Sequence, residues 1–130
     1  MHEINQKIMG TWKLVYSVEM DSSGNKTYPF GEDAIGYIIY DASGKMAVQI
    51  CRRERKLNEP SLISKDYLAY FGNYEVDIEK QIVRHFVEGH LSSNQVGKIL
   101  ERKYHFYDDK MSLTPWDGTN REILWQKVRN

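Results

Sequence analysis

The segment His85-Phe86-Val87-Glu88-Gly89-His90 places two imidazoles and a carboxylate close together, the side chains that hold zinc. Such ligands cooperate when they share a face, as residues three or four apart do on a helix. On a strand alternate residues share a face, and His85 then points opposite to Glu88 and His90. The Val and Phe content marks a strand, so no metal is expected. His85 also offers proton transfer. An imidazole with an ordinary pKa of about 6.5 exchanges protons near neutrality, and tyrosine hydroxyls beside it would polarise a carbonyl or phenol oxygen. The same residues equally describe a core histidine held by tyrosines, contributing only structure. Arg102 raises a sharper question, because a guanidinium facing inward needs an anion, either a carboxylate such as Glu88 or a ligand's own acid group. Cys51 has no histidine or second cysteine beside it and no nucleophile motif around it.

These residues sit in short runs rich in Val, Ile, Tyr and Phe, separated by Gly, Asn and Asp turn signals. That is the pattern of an all-antiparallel β protein. Strands are expected at about 11–20, 35–41, 45–51, 71–77, 81–89, 97–107, 110–114 and 121–128. Asp41-Ala42-Ser43-Gly44, Asp77-Ile78-Glu79-Lys80, Asp108-Asp109 and Trp116 to Asn120 fit hairpin turns between them. The stretch 52–69 is too long for a hairpin; Pro60, Ser61 and Ser64 would start a short helix running through Tyr67 and Leu68. As a lid it would turn Leu57, Leu62, Ile63 and Tyr67 downward, and the basic run Arg52-Arg53-Glu54-Arg55-Lys56 would attract an anion, unless that run is ordinary solvated loop.

Eight sequential antiparallel strands leave unpaired edges unless the sheet closes, and an eight-stranded closed barrel holds either packed side chains or one small ligand. An up-and-down barrel is therefore expected over residues 1–130 as one domain. Alternation assigns the inner face. It gives Trp12, Leu14, Tyr16 and Val18 on the first strand, then Gly36, Ile38 and Tyr40, then Met46, Val48 and Ile50. Later strands add Gly72, Tyr74 and Val76, then Val83, His85 and Val87, then Leu100, Arg102, Tyr104 and Phe106. The expected ligand-lining set is Tyr16, Tyr40, Met46, Tyr74, His85, Arg102 and Tyr104. Each buried polar group costs about 1 to 3 kcal/mol unless partnered, so this lining favours a cavity over a solid core. Trp12 and Trp125, on the first and last strands, read as end-cap packing, and an exposed Trp116 would mark either the mouth or a dimer patch.

Composition narrows the classes. With 18 Lys and Arg against 18 Asp and Glu, the chain has no basic excess for a nucleic acid backbone. Its single Cys forms no internal disulfide, which fits a reducing, cytoplasmic setting. No apolar run of about 18 residues is present to span a bilayer, and the opening residues do not read as a signal peptide. Nine tyrosines stand out.

The motif order resembles a known family. Gly10-Thr11-Trp12 resembles the Gly-x-Trp start of the first strand in lipocalins and other calycins, and Leu124-Trp125-Gln126-Lys127 resembles their last strand. Between them lie Pro29-Phe30-Gly31, Gly36 to Tyr40, Gly44-Lys45-Met46, Gln49, Ala69 to Asp77, His85 to Gly89, Asn94, Gly97 and Arg102. This series is similar to the short bacterial and fungal lipocalin-like domains over nearly the whole chain. The resemblance implies a calycin barrel, a basic residue (Lys127 or Arg129) across the Trp12 ring, and a small hydrophobic ligand. Ser93, His90 and Leu100 depart from the family pattern of Pro, Ser and Gln at those places, so the polar lining is this chain's own. The expected function is binding of a small, partly hydrophobic or amphipathic molecule without a cofactor. The alternatives are an isomerase, cyclase or lyase using His85 and an interior tyrosine, or a haem or nitric oxide carrier with His85 as axial ligand.

Overall fold

The computed structural model describes residues 3–54, 66–116 and 119–129. Helix α1 (Glu3–Ile8) leads into β1 (Gly10–Met20), followed by β2 (Lys26–Thr27), β3 (Ile35–Tyr40), β4 (Lys45–Cys51) and β5 (Tyr67–Asp77). The chain continues through β6 (Ile82–His90), a 3-10 turn (Ser93–Gln95), β7 (Ile99–Tyr107), β8 (Lys110–Pro115) and β9 (Arg121–Lys127). Strands β3 to β9 pair antiparallel in sequence order and β9 returns to β1, closing an eight-stranded up-and-down barrel. The two-residue β2 pairs only with the far end of β1.

The turns at 41–44, 78–81 and 108–109 gather at one end of the barrel, with the start of β1 and the end of β9. Helix α1 plugs this end. Ile4 and Ile8, one helical turn apart, face the core; Ile8 is fully buried, and its carbonyl accepts the Trp12 indole N–H at 2.9 Å. Lys127 lies over the Trp12 ring at 4.6 Å and donates to the Met9 carbonyl, the basic contact that the motif resemblance implies. Above this plug the core is packed by Trp12, Leu14, Ile38, Tyr40, Met46, Val48, Val83, Met111, Leu113 and Trp125.

Two β-bulges interrupt the strands part-way to the opposite end. On β1, Leu14 faces Trp125 and Tyr16 faces Leu124, so Val15 is the extra residue. On β6, Gly72 faces Val87 and Phe71 faces Gly89, so Glu88 is extra. The second bulge needs glycine on both sides. A Cβ on Gly72 would collide with the Phe86 carbonyl, and one on Gly89 would meet the Phe71 ring that lies across it. Beyond each bulge the alternation reverses, since one inserted residue moves every later side chain to the other face.

Two expectations are corrected and one element is added. The helix expected within 52–69 does not take in Tyr67 and Leu68, which begin β5 opposite Cys51 and Ile50. Its remaining residues, 55–65, with Leu57, Leu62 and Ile63, lie outside the described residues. Helix α1, which was not expected, is too short to announce itself by periodicity. The strand expected from 71 starts four residues earlier.

Candidate ligand-binding site

The open end of the barrel carries a cavity of about 520 Å³. Phe30, Leu68, Leu100, Pro115 and Ile123 give it apolar walls. Tyr70, His90, Arg102, Ser17 and Glu19 give it a polar lining, and Trp116 stands at its rim, 56% exposed, with Lys103 over its ring. Both bulges build this lining. Reversal after Val15 turns Ser17 and Glu19 inward; reversal after Glu88 brings His90 inward, where it stacks flat on Tyr70 with ring centroids 5.3 Å apart. The expectation that His90 faces away from His85 is thereby overturned.

A hydrogen-bonded chain climbs from the core to this cavity. His85, 1% exposed, has Tyr40 Oη at 2.6 Å from Nε2 and Tyr70 Oη at 2.7 Å from Nδ1. Tyr40 makes no other side-chain hydrogen bond among the described residues, and a buried O–H without an acceptor is costly. Tyr40 therefore donates to Nε2, and His85 keeps its proton on Nδ1 and donates it to the Tyr70 oxygen. That leaves the Tyr70 O–H free to donate toward the cavity. Burial, reinforced by the nearby Arg102 charge, pushes the His85 pKa down to about 3, so the ring is neutral at physiological pH. Burial raises the phenols of Tyr40 and Tyr70, and the Arg102 charge opposes that rise in both.

Arg102 is the charged group beside Tyr70, and Glu19, Glu101 and Arg121 also line the cavity. Tyr70 is within its hydrogen-bonding reach and Nη1 donates to the Glu101 carbonyl at 3.3 Å. No carboxylate pairs with it among the described residues. Glu88, the expected partner, reaches Lys45 on the outer surface at 2.9 Å. Glu101 is held at 2.8 Å by Arg84, which also binds Asp77 and Glu75 on the outside of the barrel. Glu19 stands in register with Arg121 across the β1–β9 pair.

The seven expected lining residues divide. Arg102 lines the cavity, and Tyr40 and His85 sit beneath it as the chain that orients Tyr70. Met46 and Tyr104 belong to the packed core. Tyr74 lies near the closed end, edge-on to Tyr40 and donating to the Asp41 carbonyl at 2.8 Å. Tyr16 faces outward, because the Val15 bulge reverses its strand. Its hydroxyl donates to Glu122 at 2.6 Å, a bond that, with some burial, pushes its pKa up to about 12. Tyr70 and His90 were missed. Tyr70 shares the alternation of Gly72 and Tyr74 and needed only the earlier start of β5; the Glu88 bulge left no comparable mark.

The other candidates are placed as plainly. Arg52 clasps Asp66 at 2.8 Å and the Pro29 carbonyl at 3.1 Å, and Arg53 donates to the Asp33 carbonyl, so both tie loops together. Cys51 borders a separate apolar hollow of about 320 Å³ on the outer face of β3 and β4. Among the described residues no three His, Cys, Asp or Glu side chains are grouped to hold a metal ion, and no helix is long and apolar enough to cross a membrane. With both ring nitrogens engaged by tyrosines, His85 has none free to ligate a haem iron.

Residues 9–127 match the sequence model of a lipocalin-like domain. The chain belongs to the lipocalin-like domain family. Among curated proteins none matches it in sequence. Of solved structures, this lipocalin-like barrel is similar to a redesigned β-barrel, 11% identical, with 99% of this chain and 98% of that one covered and a TM-score of 0.51. Fatty-acid-binding protein 1 of Echinococcus granulosus is 15% identical, with 95% and 99% covered and a TM-score of 0.48. A fatty acid transporter titled REP1-NXSQ is 14% identical, with 96% and 98% covered and a TM-score of 0.45. The first likeness reflects the shared barrel fold.

Proposed function

We propose that this lipocalin-like protein binds a small, partly hydrophobic molecule in the mouth half of its barrel. The observation that carries this reading is the cavity at the open end, where apolar walls (Phe30, Leu68, Leu100, Pro115 and Ile123) share the lining with polar groups, among them Tyr70 and Arg102 with hydrogen-bonding capacity left over. Pockets of this kind, apolar with a few convergent polar groups, are the usual form of small-molecule sites. In the closed half, α1 and the core aromatics fill the barrel interior.

The enzymatic alternative loses its base. His85 is sealed beneath the cavity, engaged at both nitrogens and held neutral by burial, so it supports Tyr70 and does not itself meet a substrate. Native mass spectrometry of protein purified without denaturation tests the binding reading. A discrete small-molecule adduct that is displaced by an apolar probe such as anilinonaphthalenesulfonate supports it. Absence of any adduct, together with no fluorescence gain from the probe, contradicts it.

A further inference from the structure

The mouth cavity combines two features that a purely apolar ligand would leave unsatisfied. One is a guanidinium, Arg102, that faces inward with no carboxylate paired to it among the described residues. Desolvating such a charge without a counter-ion is costly, and a guanidinium matches a carboxylate through parallel N–H donors. The other is the Tyr70 hydroxyl, buried beside Arg102. It already accepts from His85, so its own proton is directed to the cavity. His90 adds a third donor by the same bookkeeping: its Nδ1 accepts the Ser92 backbone N–H at 2.9 Å, which leaves the remaining ring nitrogen protonated in the neutral imidazole. The cavity also carries Glu101, which is engaged by Arg84, and the oppositely charged Glu19 and Arg121, cross-strand neighbours in the β1–β9 register, so its carboxylates do not outnumber its cations.

We propose that the ligand is an organic monoanion, a carboxylate on an apolar body, whose acid group is gripped by Arg102 and the Tyr70 hydroxyl while the body lies against Leu68, Leu100 and Ile123. This rests on the reading that the cavity binds a partly hydrophobic molecule, and it adds the charge and orientation of that molecule. His85 is a positioning residue in this account. By donating from Nδ1 it fixes the Tyr70 proton on the cavity side, as the lock on a rotatable hydroxyl.

Isothermal titration with two matched probe pairs decides the matter: decanoate against decanol, and naphthoate against naphthalenemethanol. The acid of at least one pair binds about 10-fold tighter than its alcohol or better, the scale of a charge-assisted, bidentate contact in a partly desolvated site. Arg102→Gln brings that ratio to within about 3-fold by weakening the acid more than the alcohol, and Tyr70→Phe lowers it by a smaller factor. The wild-type ratio and Tyr70→Phe keep the test open should Arg102→Gln fold poorly. Alcohols binding as tightly as acids overturn the anion assignment and leave the apolar-ligand reading standing. An acid preference that survives both substitutions also overturns it, because the anion then sits elsewhere. Binding of none of the four probes overturns both.

Discussion

Below the two bulges the barrel is a packed core closed by a plug, and above them it is a cavity with charged and hydroxyl groups on its wall. In the lower half the inward side chains are Trp12, Leu14, Ile38, Val83, Met111 and Trp125, all buried, and the Trp12 indole is satisfied by the Ile8 carbonyl. In the upper half they include Ser17, Glu19, Tyr70, His90 and Arg102. The same eight strands serve both halves, and one extra residue on each of β1 and β6 re-aims the side chains between them. Stability and recognition are thereby separated along a single barrel axis. The lower half supplies buried apolar area, whereas the upper half spends some of it on polar groups whose partners lie toward the cavity.

The largest effect that would break this comparison lies in the lower half. Trp12→Ala removes a buried indole, its bond to Ile8 and its contact with Lys127, and is expected to cost about 3 to 5 kcal/mol in urea unfolding. Where the variant remains folded, its affinity for a mouth ligand should stay within about threefold of wild type, well below the tenfold that 1.4 kcal/mol represents. A comparable loss of affinity would mean that the two halves are not separable.

How far the sequence discloses this division depends on the bulges. Strand order, closure and the inward set from Trp12 to Leu14, Ile38 to Tyr40 and Met46 to Ile50 follow from alternation and turn chemistry, and the Trp12 and Lys127 contact from the motif resemblance. Arg102 and His85 are inward for the same reason. Alternation fails at Tyr16, Val18 and His90, the first two expected inside and found outside, the last the reverse. In each case a single residue inserted in one strand shifts the phase, and neither Val15 nor Glu88 carries a side chain that marks it as the insertion. Gly72 and Gly89 are the residues that permit the second bulge, yet glycine in a strand signals close approach without saying which neighbour is displaced. Tyr70 was hidden differently, by a strand whose start falls beside the long connection from 52.

The Tyr40–His85–Tyr70 chain links the halves, and pH sharpens its role. The unfolded chain protonates His85 at a pKa of about 6.5, while the folded protein resists protonation down to about 3. Between those values unfolding takes up a proton, so stability is complete above about pH 6.5 and falls as pH is lowered. The slope approaches about 1.4 kcal/mol per pH unit, so a loss on the order of 3 kcal/mol is reached by pH 4.5. Denaturant titrations of wild type and His85→Gln at pH 7 and 4.5 should show this difference in the wild type and its absence in the variant. Equal pH dependence in the two would contradict a buried neutral His85.

The smallest effect belongs to Tyr16, which the Val15 bulge turns onto the outer surface. Tyr16→Phe removes one hydroxyl from Glu122, which keeps its bond from Ser112 at 2.9 Å. About 1 kcal/mol of stability should be lost, with no change in ligand affinity. A measurable drop in affinity would place Tyr16 inside the barrel and refute the reversal.

The central claim is that ligand occupies the mouth half alone, and the indole N–H resonances of the three tryptophans report on it directly. Trp116 lies at the rim of the cavity, whereas Trp12 and Trp125 lie in the packed half. In a nitrogen-15 correlation spectrum, titration with decanoate or naphthoate should shift the Trp116 indole and leave those of Trp12 and Trp125 in place. Shifts at Trp12 or Trp125 with Trp116 unmoved would put the ligand in the half described here as solid core, and the account would fail.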